Sequence, residues 1–213
     1  MTDTRQTQIP AAADAVDFEP TDRASFLLKG VLAAGSLYGA AAIGPVVKKA
    51  FAQSGGSDGD IEILNFALTL EYLEDAFYRQ VLDEVKLNGD LKSLVQTVQG
   101  DEAAHVDTLT STITDLGGKP AKEPEFMFDT PDESAFLKLA VTFEDTGVSA
   151  YNGAGPSLTS KELLAAAGSI VQVEGRHAAA LRIQNGDSPV IEAFDTPLDE
   201  DQVLKAVQPF IKS

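Results

Sequence analysis

Each of the two histidines in this chain follows a glutamate by three positions. One pair is Glu102 and His105, and the other is Glu174 and His177. In a helix, residues three apart share one face, so each carboxylate and imidazole could bind one cation together. A single pair of this kind is a common chance match, but two pairs that use both histidines indicate one shared site.

Two further glutamates give the pattern its symmetry. Glu71 precedes Glu102 by 31 residues and Glu144 precedes Glu174 by 30, so the two halves of the chain align almost in register. A glutamate from each of two helices, with Glu-x-x-His from each of two others, is the pattern of di-metal carboxylate bundles. Four carboxylates balance two divalent ions, and oxygen-rich sites with one imidazole per metal suit iron or manganese. We expect two metal ions, with iron preferred over manganese.

Two tyrosines repeat the same register. Tyr78 lies seven residues after Glu71, and Tyr151 lies seven residues after Glu144. Seven residues are about two helical turns, so each tyrosine shares a face with its glutamate. We expect each phenol to hydrogen-bond a ligand carboxylate from the opposite hairpin.

Other acids near the pattern receive a different interpretation. Glu74 lies one turn after Glu71 and is a rival ligand, but Gly147 matches it in the second half, which favours Glu71. Asp101 and Asp145 flank candidate ligands, and we expect them to face solvent.

Apolar periodicity and breakers predict four long helices that could carry these residues, over about 61–86, 91–116, 130–152 and 159–185. Asp90 is the expected N-cap of the second helix, while Thr130 and Thr159 open expected capping boxes for the third and fourth.

The segment between the second and third helices, 118–131, is long enough to run the length of a bundle. The sequence therefore predicts an all-α, ferritin-like topology for 61–185, in which a long crossover joins two antiparallel hairpins. The tail, 186–213, is predicted to add a short helix near 199–207.

The N-terminal quarter of the sequence has the features of a disordered segment, an export or membrane segment and a linker. Residues 1–22 are expected to be disordered. Segment 23–52 contains the uncharged stretch 31–47 and ends on Ala-Phe-Ala, which predicts an export signal cleaved after Ala52 or an anchor in a membrane. A buried Ala/Gly-rich helix that docks on the domain is the alternative. Residues 53–60 are predicted to form a linker.

The overall composition excludes several classes of function. A net charge of −17 and a pI near 4.3 argue against nucleic acid as a partner. The absence of cysteine rules out disulfides, thiol chemistry and iron–sulfur clusters.

Two segments of the sequence resemble a known family. The stretches Leu64–Tyr78 and Gly147–Ala154 are similar to the ferritin-like-domain branch of the ferritin-like superfamily. That branch includes desiccation-related proteins that are often exported. The resemblance implies Glu71 and Glu144 as terminal ligands and bridging roles for two other glutamates. The bridging residues would be Glu102 and Glu174, and the ligands that complete each ion's set would be His105 and His177.

These observations lead to one preferred function and two alternatives. We expect an exported di-metal carboxylate protein, di-iron by preference, with oxidase-, peroxide- or ferroxidase-type redox chemistry on dioxygen or peroxide. The alternatives are a non-catalytic, metal-binding stress or desiccation-related structural protein and a ferritin-type storage protein. The sequence leaves open whether there is turnover, whether the chain forms a homo-oligomer and whether 31–47 attaches it to a membrane.

Overall fold

The computed structural model describes residues 57–212, so the predicted export segment 23–52 and residues 1–22 lie outside the described range. Within that range the chain forms five α-helices, which are α1 (Asp58–Glu84), α2 (Gly89–Asp115), α3 (Glu133–Ala154), α4 (Lys161–Asn185) and α5 (Glu200–Val207). Helix α1 packs chiefly on α2, and α3 on α4. Of the helices in 57–212, none combines the length and hydropathy that crossing a bilayer requires.

The four long helices agree with those that the sequence predicts, and they form two hairpins joined by a long crossover. Helix α1 begins at Asp58, inside the segment 53–60 that was expected to be a linker. The reason is local, because Ser57 and Asp60 form a capping box in which each side chain accepts the other residue's backbone N–H.

The N-caps of the next three helices differ from those expected. Asn88 caps α2 instead of Asp90, and Asp132 caps α3 instead of Thr130. Both capping residues have extended backbones that aim their side chains at the amide three residues on. Ser160 caps α4 because the hydroxyl of Thr159 already donates to a carboxylate oxygen of Asp60, at 2.7 Å.

The crossover between α2 and α3 runs alongside α1, as its length predicts. Near its start, the Ala121 N–H donates to the Asn65 side chain at 2.6 Å. Near its end, the Gln80 amide donates to the Phe128 carbonyl at 3.2 Å. Asn65 and Gln80 are separated by about 22 Å of helix, so the crossover covers most of one bundle edge.

Two hydrophobic clusters divide the interior of the bundle. One contains the aromatic side chains of Phe77, Phe136 and Phe143. The other contains Leu68 of α1, Ile113 of α2 and Leu163 of α4, among other residues. The carboxylates described below belong to neither cluster, because they form a polar layer inside the bundle.

The C-terminal tail packs on the outside of the bundle. Its short helix α5 was predicted, and it contacts α3. Leu198 donates its backbone N–H to the Ser149 carbonyl at 3.0 Å, and Phe126 of the crossover forms an isolated antiparallel bridge with Ile211. The tail therefore contacts both α3 and the crossover.

Candidate metal centre

The four long helices bring together the six residues that the Glu-x-x-His pattern selected. Helix α1 contributes one, α2 two, α3 one and α4 two. They form two groups, within each of which four candidate ligand atoms lie within 4.8 Å of one another. The first group is Glu71, Glu102, His105 and Glu174, and the second group is Glu102, Glu144, Glu174 and His177. Glu102 and Glu174 belong to both groups.

His105 faces three carboxylates through one ring nitrogen. Its Nδ1 lies 3.1 Å from Glu71 Oε2 and 3.0 Å from Glu102 Oε2. The same atom lies 3.2 Å from Glu174 Oε1. One imidazole nitrogen surrounded by oxygens from three helices marks a centre at which a cation could replace the proton on that nitrogen.

His177 occupies the matching position on the other side of the shared glutamates. Its Nδ1 lies 2.8 Å from Glu102 Oε1 and 3.3 Å from Glu144 Oε2. Its other nitrogen, Nε2, lies 3.1 Å from Asp101 Oδ2. If Nε2–H donates to Asp101, the lone pair on Nδ1 is directed at the carboxylates, which is the tautomer that a metal ligand needs.

The interpretation of Asp101 as facing solvent is therefore incomplete. Its side chain is half exposed, yet one oxygen accepts from His177. Asp145 also has a partner, because it forms an ion pair with the buried guanidinium of Arg182 on α4. The spacing of residues within one helix cannot predict these contacts, because they form where α4 packs against α2 and α3.

The two tyrosines cross the bundle to the opposite hairpin. The Tyr78 hydroxyl donates to Glu144 Oε1, and the Tyr151 hydroxyl donates to Glu71 Oε1. Each phenol thus holds one oxygen of a glutamate and leaves the other oxygen facing a histidine. The contacts are those expected from the seven-residue spacing, and both tyrosines are buried.

The donor atoms of this layer fit a metal better than they fit one another. The four glutamates are all 0% exposed. Several of their oxygens, and one ring nitrogen, are buried and make no hydrogen bond, although short contacts join some of them. These atoms are Glu102 Oε1, Glu144 Oε2, both carboxylate oxygens of Glu174, and His177 Nδ1. Unpartnered buried acceptors are costly, and cations that accept their lone pairs would remove that cost.

The electrostatics of the layer lead to the same conclusion. Burial and the neighbouring charge of Glu174 raise the pKa of Glu102 to about 7. Burial and the charge of Glu71 raise the pKa of Glu174 to about 8. The buried carboxylates therefore cannot all be ionised near neutral pH unless a positive charge compensates them. Two divalent cations would supply that charge.

Glu74 is a buried acid that the sequence placed second to Glu71. It is 2% exposed, and burial together with the charge of Glu174 raises its pKa well above the ordinary value. A Cβ built on Gly147 would lie 3.1 Å from Glu74 Oε1 and 3.4 Å from Glu174 Oε2. The glycine therefore makes room for a fifth glutamate beside the layer. Gly147 follows Glu144 by three residues, as Glu74 follows Glu71, and this match was the sequence signal for the contact.

Comparison with known proteins agrees with this geometry. A family model described as the ferritin-like domain matches residues 59–187. A solved structure described as ferritin-like, diiron-carboxylate proteins from Bacillus anthracis str. Ames is 24% identical, with a TM-score of 0.55 over 61% of this chain and 99% of that chain. A conserved hypothetical protein from Mycobacterium tuberculosis is 16% identical, with a TM-score of 0.56 over 64% of this chain and 96% of that chain.

No curated protein matches the chain at a significant level. The family match and the structural neighbours confirm the predicted all-α, ferritin-like bundle. Because the family model spans more than half of the 213 residues, the chain belongs to the ferritin-like domain family.

Proposed function

We propose that this chain is a di-metal carboxylate protein whose metals undergo redox chemistry. The observation that carries the proposal is the overlap of the two donor groups, which share Glu102 and Glu174. Two cations held by overlapping groups would share those two carboxylates as bridges. Each cation would also receive a histidine and a terminal glutamate of its own. The solved structure described as diiron-carboxylate supports this proposal.

The residues around the two shared glutamates have distinct roles under the proposal. Glu71 and Glu144 are terminal ligands, and each has one oxygen fixed by a tyrosine hydroxyl. His105 and His177 each supply Nδ1, and Asp101 orients the ring of His177. The apolar clusters on either side would limit the access of water to the carboxylates.

Two bound ions of a redox-active metal would supply one-electron steps that protein side chains alone do not provide. We propose iron in preference to manganese, since a carboxylate-rich site with one imidazole per ion suits both metals and the diiron neighbour favours iron. The four glutamates would balance the charge of two divalent ions, and the proposed oxidant is dioxygen or peroxide.

The experiment that tests this proposal is anaerobic loading of the full chain with ferrous iron, followed by separate addition of dioxygen and hydrogen peroxide. Rapid oxidation of two irons per chain, with repeated turnover when a reductant is present, would support an oxidase or peroxide function. Oxidation that continues far beyond two irons, inside a large assembly, would indicate storage. Bound iron that neither oxidant changes would contradict a redox role and favour the structural alternative.

We also propose that the protein is exported. The support is the order of charged, uncharged and small residues over 23–52, which lies outside the described part of the chain. Expression of the full chain in a bacterial host, followed by fractionation and N-terminal sequencing, tests this proposal. A mature form that starts at Gln53 would support a cleaved signal, and membrane-bound full-length protein would support an anchor. Intact chain confined to the cytoplasm would contradict export.

A further inference from the structure

An apolar pocket lies beside the polar layer, towards the end of the bundle where α1 and α4 begin. The space in it that the centre of a water-sized molecule can occupy is about 20 Å³, which is room for one small molecule. All four long helices contribute to its wall, together with the connection between α3 and α4. The lining residues that matter below are Ala67, Thr108, Leu109, Tyr151, Ala167 and Ile170.

The pocket is one helical turn from the candidate metal ligands on three helices. Ala67 is four residues before Glu71, and Ile170 is four residues before Glu174. Leu109 is four residues after His105. Because four residues of helix rise about 6 Å, the pocket and the polar layer are stacked along the bundle axis.

Tyr151 joins the two regions. Its side chain forms part of the pocket wall, and its hydroxyl donates to Glu71. A small molecule in the pocket would therefore rest against the tyrosine that holds a candidate terminal ligand. The half-buried side chains of Ala166 and Ala167 at the pocket rim place its mouth at the protein surface.

The chemistry of the wall selects what can enter. Among the pocket's lining residues, all of them in the described range, no side chain is charged, and the only hydroxyls belong to Thr108 and Tyr151. The Tyr151 hydroxyl is already committed to Glu71. A polar or ionic molecule would lose its hydration without gaining partners, whereas an apolar gas would lose little. Organic ligands usually need several placed polar groups for orientation, and this wall offers few.

We propose that this pocket admits and holds dioxygen next to the di-metal centre. The inference rests on the proposed function and makes it more specific, because it selects dioxygen over hydrogen peroxide as the oxidant that this route serves. Peroxide is strongly hydrated and would have to approach the centre by another route.

Xenon is a suitable probe because apolar cavities bind it irrespective of any metal. Full-length, metal-free protein would be titrated with xenon while methyl NMR signals are recorded. We expect shifts for Leu109 and Ile170 in the pocket, and none for Val95 in the other cluster. Absence of shifts at the pocket methyl groups would overturn the proposal, and this test does not depend on redox activity.

A pocket-filling substitution provides the second test. Ala167→Leu places a larger side chain at the rim, and Ala165→Leu is the matched control because Ala165 is exposed on the same helix and is not among the lining residues. If Ala167→Leu impairs folding, Ala166→Leu replaces it. We expect the filled variant to lose xenon binding and to slow oxidation of the iron-loaded chain by dioxygen severalfold. Oxidation by hydrogen peroxide should be unchanged, and the control should match the unmodified chain in both reactions.

The outcomes separate this inference from the proposed function. Equal slowing by both oxidants, or no slowing by either when the pocket is filled, would overturn the dioxygen route. If the unmodified, iron-loaded chain reacts with neither oxidant, the proposed function fails and the dioxygen role fails with it. The xenon shifts would still show whether the cavity accepts an apolar gas.

Discussion

At the scale of single residues, the candidate metal centre depends on the helix face that each glutamate, histidine and tyrosine occupies. Helical periodicity fixes the face on which each residue lies, and the near-equal halves of the chain fix which faces correspond. The contact of Asp101 with His177 was beyond such reasoning, because it depends on how α4 packs against α2. The position of Glu74 had one signal in the sequence, its match in register to Gly147, whose missing side chain leaves room for it.

Asp101 offers a test at this scale. Asp101→Ala removes the acceptor for His177 Nε2 and leaves all six candidate ligands in place. We expect metal affinity to fall about 10- to 100-fold, as for other residues that orient a ligating histidine. Competition with a fluorescent chelator would measure the dissociation constant. Asp107→Ala, which removes an exposed acid from the same helix, should leave it unchanged; an equal loss in both variants would contradict the orienting role.

At the scale of helices, local sequence predicted which elements exist but misplaced several of their ends. Thr159 illustrates the reason, because a residue in contact with another helix can lose its capping role. Its hydroxyl and backbone N–H both donate to Asp60, which also accepts from Ser57. This carboxylate therefore ties the start of α1 to the start of α4, a contact between residues 99 positions apart.

The stability contribution of Asp60 should depend on pH. Burial alone would raise the pKa of Asp60, but the hydrogen bonds from Thr159 and Ser57 outweigh burial and lower the pKa below its ordinary value. A lowered folded-state pKa gives a contribution that is present above the unfolded-state pKa of about 4 and is lost as the pH falls through the folded-state value.

Asp60→Ala should therefore reduce the free energy of unfolding by about 1–2 kcal/mol at pH 7. The difference from the unmodified chain should shrink below about pH 4. Urea unfolding of metal-free protein at several pH values would measure both effects. The control is Asp58→Ala, which changes an exposed acid in the same first turn. A difference that stays constant with pH would contradict the role of the ionised carboxylate.

At the scale of the whole molecule, the crossover lies along α1, the C-terminal tail lies along α3, and the two segments pair at Phe126 and Ile211. The sequence predicted that the crossover would run along the bundle, because its length permits it. Bridging of Phe126 by Ile211 was not predicted, since an isolated pairing of two irregular segments has no periodic pattern. The close approach of Leu198 to Gly153 was not predicted either, because it depends on how the tail packs against α3.

Gly153 tests whether the tail belongs to the folded unit. A Cβ at this position would lie 1.8 Å from the Leu198 carbonyl oxygen, which is backbone and cannot swing away. Gly153→Ala should destabilise the protein by about 1–3 kcal/mol and speed hydrogen exchange in α5. Gly168→Ala is the control, because its Cβ would meet nothing within 4 Å. We expect that control to be neutral or stabilising in the interior of a helix; unchanged stability and exchange in Gly153→Ala would show that the tail is not closely packed.

The most direct test of the account is the metal content of the full chain, measured by elemental mass spectrometry after exposure to equal concentrations of iron and manganese. The double substitution His105→Ala and His177→Ala would be treated in parallel, with circular dichroism to confirm that its helices form. The account predicts two metal ions per unmodified chain, with iron in excess, and loss of stoichiometric binding in the variant. A folded, unmodified chain without metal, or a double variant that retains two ions, would contradict the assignment of the site.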